Sequence, residues 1–112
     1  MISNTLVCEY LSDDMSGVKM IERDLPKLKT DEVLIKVKAS SVNFPDYLMT
    51  QGKYQHKPNL PFGLGMEGSG IIEQVGENVK DFKPKDEVTF GAMGLGAFTD
   101  YIIVNQKAAQ TK

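Results

Sequence analysis

The chain has 112 residues, which is enough for one domain with a modest core. Its composition is ordinary for a soluble globular protein, with 41% hydrophobic residues, 25% charged residues and a net charge of −2. This balance gives no reason to expect nucleic acid or an anionic membrane as a partner. The apolar runs are too short to span a bilayer, and the N-terminus lacks the features of a secretory signal. We therefore expect a cytoplasmic location, in a bacterial cytosol or inside an organelle.

Cys8 is the only cysteine and His56 the only histidine. One thiol cannot form an internal disulfide, which agrees with a reducing compartment. A structural zinc site needs four ligands and a catalytic site usually three, so this pair cannot supply either. The sequence therefore predicts no zinc site, and we expect His56 to be solvated in a polar loop.

The first third of the chain has the pattern of β-strands. Residues 4–10 and 17–22 are short alternating runs on either side of a turn, and they predict a hairpin. In residues 33–39 alternate positions are apolar, which predicts a half-buried strand with Leu34 on its outer face.

The pattern changes at residues 43–51, which we predict to form a helix of about two turns. Asn43 can cap the first turn, Pro45 is tolerated there, and Asp46 favours the positive end of the helix dipole. Gly52 follows where a C-cap glycine is expected.

The second half of the chain returns to short strands. We predict them at residues 69–76, 87–92 and 96–105. Short strands at close spacing with one small helix favour a β-barrel or sandwich over alternating βαβ units.

Three glycines, Gly63, Gly65 and Gly68, form the pattern G-x-G-x-x-G, and Asp86 with Glu87 follows at about the distance of a ribose-binding acid. A nucleotide-binding turn must lead into a helix, because the pyrophosphate lies at the helix N-terminus. Here the glycines lead into a predicted strand. We therefore interpret them as turn and close-approach residues, and not as a phosphate site.

The order of three motifs resembles a known family. The motifs are VNFPDYLMTQGKY, LPFGLGMEGSGIIEQVGENVKDFKPKDEV and GAFTDYIIV. Residues 5–110 are similar to the N-terminal, GroES-like domain of the medium-chain dehydrogenase/reductase superfamily, in its zinc-independent NADPH:quinone oxidoreductase branch. The resemblance implies a mainly β fold with short helices, a GroES-like partly open β-barrel, over residues 1–112.

The resemblance also identifies two former metal positions. Zinc-containing relatives hold the catalytic ion with a cysteine and a histidine, and these places match Asn43 and Met66. An amide and a thioether are poor zinc ligands. Asp46 and Glu67, which accompany the ligands in zinc members, are both present. The resemblance therefore implies a metal-free cleft.

Asn43 matches an asparagine that family members place near nicotinamide and substrate, and a plain helix cap is the alternative. Tyr54 matches a tyrosine at the mouth of the cleft, and a loop-packing aromatic is the alternative. Both would be catalytic in the first interpretation, and Asn43 would also contact the cofactor.

The resemblance implies further members of the substrate pocket: Tyr47, Leu48, Met66 and Glu67. Many relatives carry a tyrosine where this chain has Leu48, and Tyr47 precedes it. Since one helical step turns a side chain by about 100°, Tyr47 is not a simple replacement. Met66 is expected to line the pocket as a flexible contact, or else to fill the core. For Glu67 we expect a buried, paired carboxylate that holds the turn. The alternative is an acid that lines the pocket.

The implied reaction is hydride transfer from NADPH to a quinone or enone. In the superfamily a Rossmann domain follows the barrel, and this chain carries none. We expect NADPH to be bound mainly by that missing domain, and the fragment to be inactive alone. Relatives are often dimers, so a homodimer is implied. The alternative is a stand-alone GroES-like binding or interaction module without catalysis, with residues 53–66 as the partner-binding segment.

Overall fold

The computed structural model describes residues 1–55, 57–92 and 95–112. The fold is mainly β, with two antiparallel sheets and one short α-helix, as expected for a partly open barrel of the GroES type. The elements are β1 Ile2–Cys8, β2 Val18–Asp24, β3 Glu32–Ser40, α1 Phe44–Gln51, β4 Phe62–Gly63, β5 Glu67–Val75, β6 Glu87–Gly91, β7 Tyr101–Asn105, a 3-10 turn Gln106–Ala108 and β8 Ala109–Thr111. His56, which we expected to be solvated, lies outside the described residues.

The smaller sheet has the strand order β2-β1-β4 and the larger one the order β7-β3-β5-β6-β8. The predicted first hairpin is confirmed as the pair β1–β2. A bridge between Thr5 and Thr99 connects the two sheets. The Thr99 hydroxyl also lies 2.6 Å from the hydroxyl of Ser3, so a buried row of hydroxyl groups joins β1 to the start of β7.

The main core lies on one face of the five-stranded sheet. Its central side chains are no more than 1% exposed: Val33, Ile35, Ile72, Val88 and Val104. Val33, Ile35 and Val37 contact this core and Leu34 does not, as the alternation predicted. Leu34 is nevertheless only 5% exposed, so β3 is buried on both faces here and the expectation of a half-buried strand is wrong at this position. A register shift between Leu34 and Ile35 leaves Glu73 of β5 without a partner in β3.

The last predicted strand is shorter than expected. Residues 96–105 form a strand only over Tyr101–Asn105. The segment before it is irregular because its backbone pairs with the glycine turn: Ala97 donates to the carbonyl of Gly65 and Phe98 to that of Leu64. The sequence pattern also missed β4 and β8, which have only two and three residues.

The helix prediction is confirmed at both ends. Asn43 occupies the N-cap position, and Gly52 ends α1 with a φ of 72°, in the left-handed region that glycine adopts at little cost. The Asp46 carboxylate, in the first turn, accepts the backbone N–H of Asn43 at 2.8 Å. In the part of the chain described here, no helix has the length and apolarity needed to cross a membrane.

Candidate functional site

A cavity of about 510 Å³ opens at one end of the five-stranded sheet. The end of β3, the start of β5, the end of β6 and the region of β8 form its walls. The lining residues are Ala39, Ser40, Ser41, Met66, Glu67, Gly68, Ser69, Thr89, Phe90, Gly91, Ala108 and Gln110. The lining is mixed: four hydroxyl side chains, Glu67 and Gln110 offer hydrogen-bonding groups, and Ala39, Met66, Phe90 and Ala108 offer an apolar surface of similar extent.

Two of the predicted pocket residues, Met66 and Glu67, lie in this wall. Met66 is half-buried, and its carbonyl accepts the N–H of Ala92 at 2.8 Å, which fixes the backbone between β4 and β5. Glu67 is exposed, and the ion pairs found among the described residues do not include it. The expectation of a buried, paired carboxylate at Glu67 is therefore wrong, and the side chain is available to the cavity.

Asn43 is close in sequence to a residue of this cavity. Ser41, which directly follows the end of β3, lines the cavity and precedes Asn43 by two positions. Asn43 is itself half-buried at the N-cap of α1 and does not line the cavity. Its backbone N–H is held by Asp46, and its carbonyl accepts the N–H of Asp46 at 3.0 Å. The two residues thus close the turn that begins α1.

The first turns of α1 present aromatic side chains to solvent. Tyr47 is exposed, whereas Leu48 is half-buried, so the one-residue offset between them does change the surroundings of the side chain. The Tyr47 ring lies 6.4 Å from that of Phe44, centroid to centroid. The Tyr47 hydroxyl accepts a hydrogen bond from the Gln51 amide at 3.2 Å. These contacts hold the Tyr47 ring on the surface of the helix, outside the cavity wall.

Tyr54 lies elsewhere. It is half-buried and packs against the second, smaller core cluster, which consists of Cys8, Met49, Phe62 and Leu64. The structure therefore brings Met66 and Glu67 together in one cavity, leaves Asn43 and Tyr47 on the adjoining helix, and directs the Tyr54 ring into packing.

The glycine turn is occupied by the protein's own backbone. A Cβ on Gly65, which has a φ of 101°, would lie 2.8 Å from the backbone nitrogen of Phe98. A Cβ on Gly63 would lie 2.7 Å from the Cα of Gly96. The glycines therefore allow close approach of two chain segments. Gly68 already belongs to β5, so no helix follows, as predicted.

Within the described residues, no group of three or more His, Cys, Asp or Glu side chains is placed to hold a metal ion. Cys8 is fully buried, and its thiol donates a hydrogen bond to the Tyr10 carbonyl at 3.3 Å. Burial raises the pKa of the Cys8 thiol above 9.0, and the bond to Tyr10 opposes this rise in part.

Sequence reasoning missed the polar lining of the cavity. Ser40 ends β3, Ser69 lies near the start of β5, Thr89 lies in the middle of β6, and Gln110 lies on the unpredicted β8, so the lining is assembled from four separate strands. The Ser40 hydroxyl donates to the Ala97 carbonyl at 2.6 Å, so this serine supports the wall. The close spacing of small and hydroxyl residues around Met66 was the available signal.

The sequence pattern of the alcohol dehydrogenase GroES-like domain matches residues 29–111. The chain belongs to this family. Among relatives, a zinc-type alcohol dehydrogenase-like protein of Schizosaccharomyces pombe is 40% identical over 94 residues, which are 80% of this chain and 26% of that protein. Quinone oxidoreductase 1 of Escherichia coli is 39% identical over 80 residues, which are 70% of this chain and 24% of that protein.

The solved structures agree with this assignment. The Escherichia coli quinone oxidoreductase in complex with NADPH superposes with a TM-score of 0.83 at 27% identity, over 97% of this chain and 32% of that protein. The resemblance of this GroES-like domain to the quinone oxidoreductase branch is confirmed. The domain spans about a quarter of the length of the curated relatives that it matches.

Proposed function

We propose that this GroES-like domain is the substrate domain of a zinc-independent oxidoreductase that transfers hydride from NADPH to a quinone or an enone in the cytoplasm. The observation that carries the proposal is the pair Asn43 and Met66. By the family resemblance, both match the places where zinc-containing relatives hold their ion, and neither is a good zinc ligand. The relatives that are named quinone oxidoreductases support the same conclusion.

The chemistry requires a group that stabilises negative charge on the substrate oxygen. Bound NADPH would supply the hydride, and charge would then develop on the carbonyl oxygen of the substrate. Without a metal ion, hydrogen-bond donors aimed at that oxygen must stabilise it. We assign this role to the Asn43 side-chain amide, because Asn43 is half-buried, follows the cavity-lining Ser41 by two residues and lies on a turn that Asp46 holds.

The residues of this domain would contact NADPH only near the nicotinamide. The glycine turn is filled by the backbone around Gly96 and Phe98, so the phosphates would be held by the Rossmann domain of the same enzyme. Asn43 would be the contact that this domain makes near the nicotinamide. This division of roles agrees with the expectation that the domain alone binds NADPH poorly.

The cavity wall would accommodate a flat substrate. Met66 offers a flexible thioether contact to a ring, and Glu67 an exposed carboxylate at the same wall. Tyr47 and Leu48 would border the approach from α1. For Tyr54 we retain a role for the hydroxyl at the cleft mouth, although its ring packs against the small core cluster.

The test uses the full-length enzyme and follows oxidation of NADPH with a quinone, an enone and a simple aldehyde. Asn43→Ala should lower kcat by about 100-fold to 1000-fold, the loss found when one oxyanion donor is removed. Asn78→Ala is the matched control, because Asn78 is exposed in a turn outside the site. Metal analysis and a chelator should reveal no dependence on zinc.

Three results would contradict the proposal: no reduction of either substrate class, loss of activity with the chelator, or equal effects of the two asparagine variants. Sedimentation separates the alternatives further. A dimer agrees with the enzyme, whereas a ring-sized assembly without reductase activity would favour the interaction module.

A further inference from the structure

Asp46 has an unusual environment for a residue in the first turn of a helix. Its side chain is only 5% exposed. One carboxylate oxygen, Oδ2, accepts the Asn43 N–H at 2.8 Å. The other, Oδ1, is buried, and within residues 1–55, 57–92 and 95–112 no donor reaches it. The carboxylate is therefore buried with only one of its two oxygens satisfied.

Helix stability alone does not account for this arrangement. An acid in the first turn gains from the helix dipole when it lies at the surface, and a reciprocal cap forms equally well with an exposed side chain. Burying a carboxylate with an unsatisfied oxygen is costly. Such departures from the rules of stability are found at functional sites. The hydrogen bond to Asn43 is the one contact of the buried carboxylate with the proposed site, so we look for its role there.

The segment before α1 has few other restraints. Ser41 is exposed and Val42 is 84% exposed, so neither anchors Asn43 through packing. The bond from Asn43 to Asp46 Oδ2 and the bond from Asp46 N–H to the Asn43 carbonyl hold the position of this residue. Of these two, only the first depends on a side chain.

We propose that Asp46 is a positioning residue: its carboxylate fixes the backbone of Asn43, and with it the direction of the amide that donates to the substrate oxygen. This inference rests on the proposed function. It also explains why an acid that accompanies metal ligands in zinc-containing relatives is present in a chain whose ligand positions are Asn43 and Met66.

The activity test is a double-mutant cycle on the full-length enzyme. Asp46→Ala should lower kcat by about tenfold, the effect of losing one hydrogen bond to a charged group. In an Asn43→Ala background the same change should alter kcat less than about twofold, because the residue through which it acts is gone. Asp46→Asn keeps an oxygen at the same place and should recover most of kcat.

Asp86→Ala is the matched control. Its carboxylate accepts the backbone N–H of Lys83 at 3.0 Å, the same type of contact three residues apart, and Asp86 does not line the cavity. This variant should show no coupling with Asn43. Equal losses of kcat from Asp46→Ala in both backgrounds would overturn the inference, since Asp46 would then act independently of Asn43.

Hydrogen exchange gives a readout that does not depend on activity. In the full-length protein, protection of the Asn43 amide should fall in Asp46→Ala and be retained in Asp46→Asn, with protection in the rest of α1 unchanged. Unchanged protection in Asp46→Ala overturns the inference whatever the enzyme reduces. Failure to reduce quinones or enones, with protection lost as expected, would instead count against the proposed function.

Discussion

Apolar side chains are buried in the five-stranded sheet but exposed on the N-terminal face of α1. In the sheet, Ile35 and Ile72 are almost completely removed from solvent. At the start of α1, Val42, Phe44 and Tyr47 are large and exposed. The sheet forms a core that this domain completes by itself, whereas the α1 face leaves apolar surface uncovered next to Asn43. Exposed apolar groups beside a cavity mark surfaces that meet another molecule or domain.

The difference indicates a rigid scaffold that carries a site at its edge. Side chains that act on a ligand need supporting elements that do not move. Here the Ser40 hydroxyl connects the cavity wall to the backbone of Ala97, and the bond from Asn43 to Asp46 fixes the segment between β3 and α1. In the proposed enzyme, the exposed α1 face would be covered by substrate and by the remaining protein.

The largest expected effect on stability tests the sheet side of this comparison. Ile35→Ala removes a fully buried side chain and should lower the free energy of unfolding by about 2–5 kcal/mol. Val42→Ala, on the exposed face, should change it by less than about 0.5 kcal/mol. Denaturant titration of both variants measures the contrast. A cost for Val42→Ala close to that for Ile35→Ala would show that the α1 face belongs to the core.

The next effect tests the turn that supports the cavity. Gly65→Ala places a Cβ 2.8 Å from the backbone nitrogen of Phe98, at a φ of 101°, and should cost about 1–3 kcal/mol. Gly91→Ala is the matched control, since its Cβ would meet nothing within 4 Å. Thermal unfolding of the two variants should separate them clearly. A neutral Gly65→Ala would mean that this segment yields easily and could admit a ligand.

The sequence predicted what depends on local chemistry. The cap at Asn43 and the glycine at Gly52 determined α1, and the hairpin β1–β2 followed from its alternation and turn. The interpretation of the glycine turn was also available locally, because a strand and not a helix follows Gly68. Such features need only a few neighbouring residues, which a single sequence contains.

Features that depend on distant contacts were missed. The burial of Leu34 depends on what covers the second face of a central strand, which the alternation of β3 itself does not reveal. The exposure of Glu67 and the burial of Asp46 depend on which distant segments cover each side chain, and a single sequence does not show this. Strand β8 has three residues and exists because it pairs with β6, so no pattern within its own sequence reveals it.

The smallest expected effect concerns the second core cluster, around Cys8, which joins β1 to α1. Because burial raises the pKa of Cys8, the folded protein favours the protonated, neutral thiol more strongly than the unfolded chain does. Its contribution to stability is complete below the unfolded pKa and is lost as the pH rises through the folded pKa. The free energy of unfolding should therefore decrease above about pH 9.

Cys8→Ala should make this decrease smaller, because the titrating group is gone while the rest of the cluster is retained. Alkylation provides a second measurement: a thiol reagent should react with the native protein only as fast as the cluster opens, and at once in denaturant. Rapid reaction under native conditions would mean that the packing between β1 and α1 opens readily. The turn at Asn43 would then lie on a mobile support, and the contrast between a rigid scaffold and an exposed site would no longer hold.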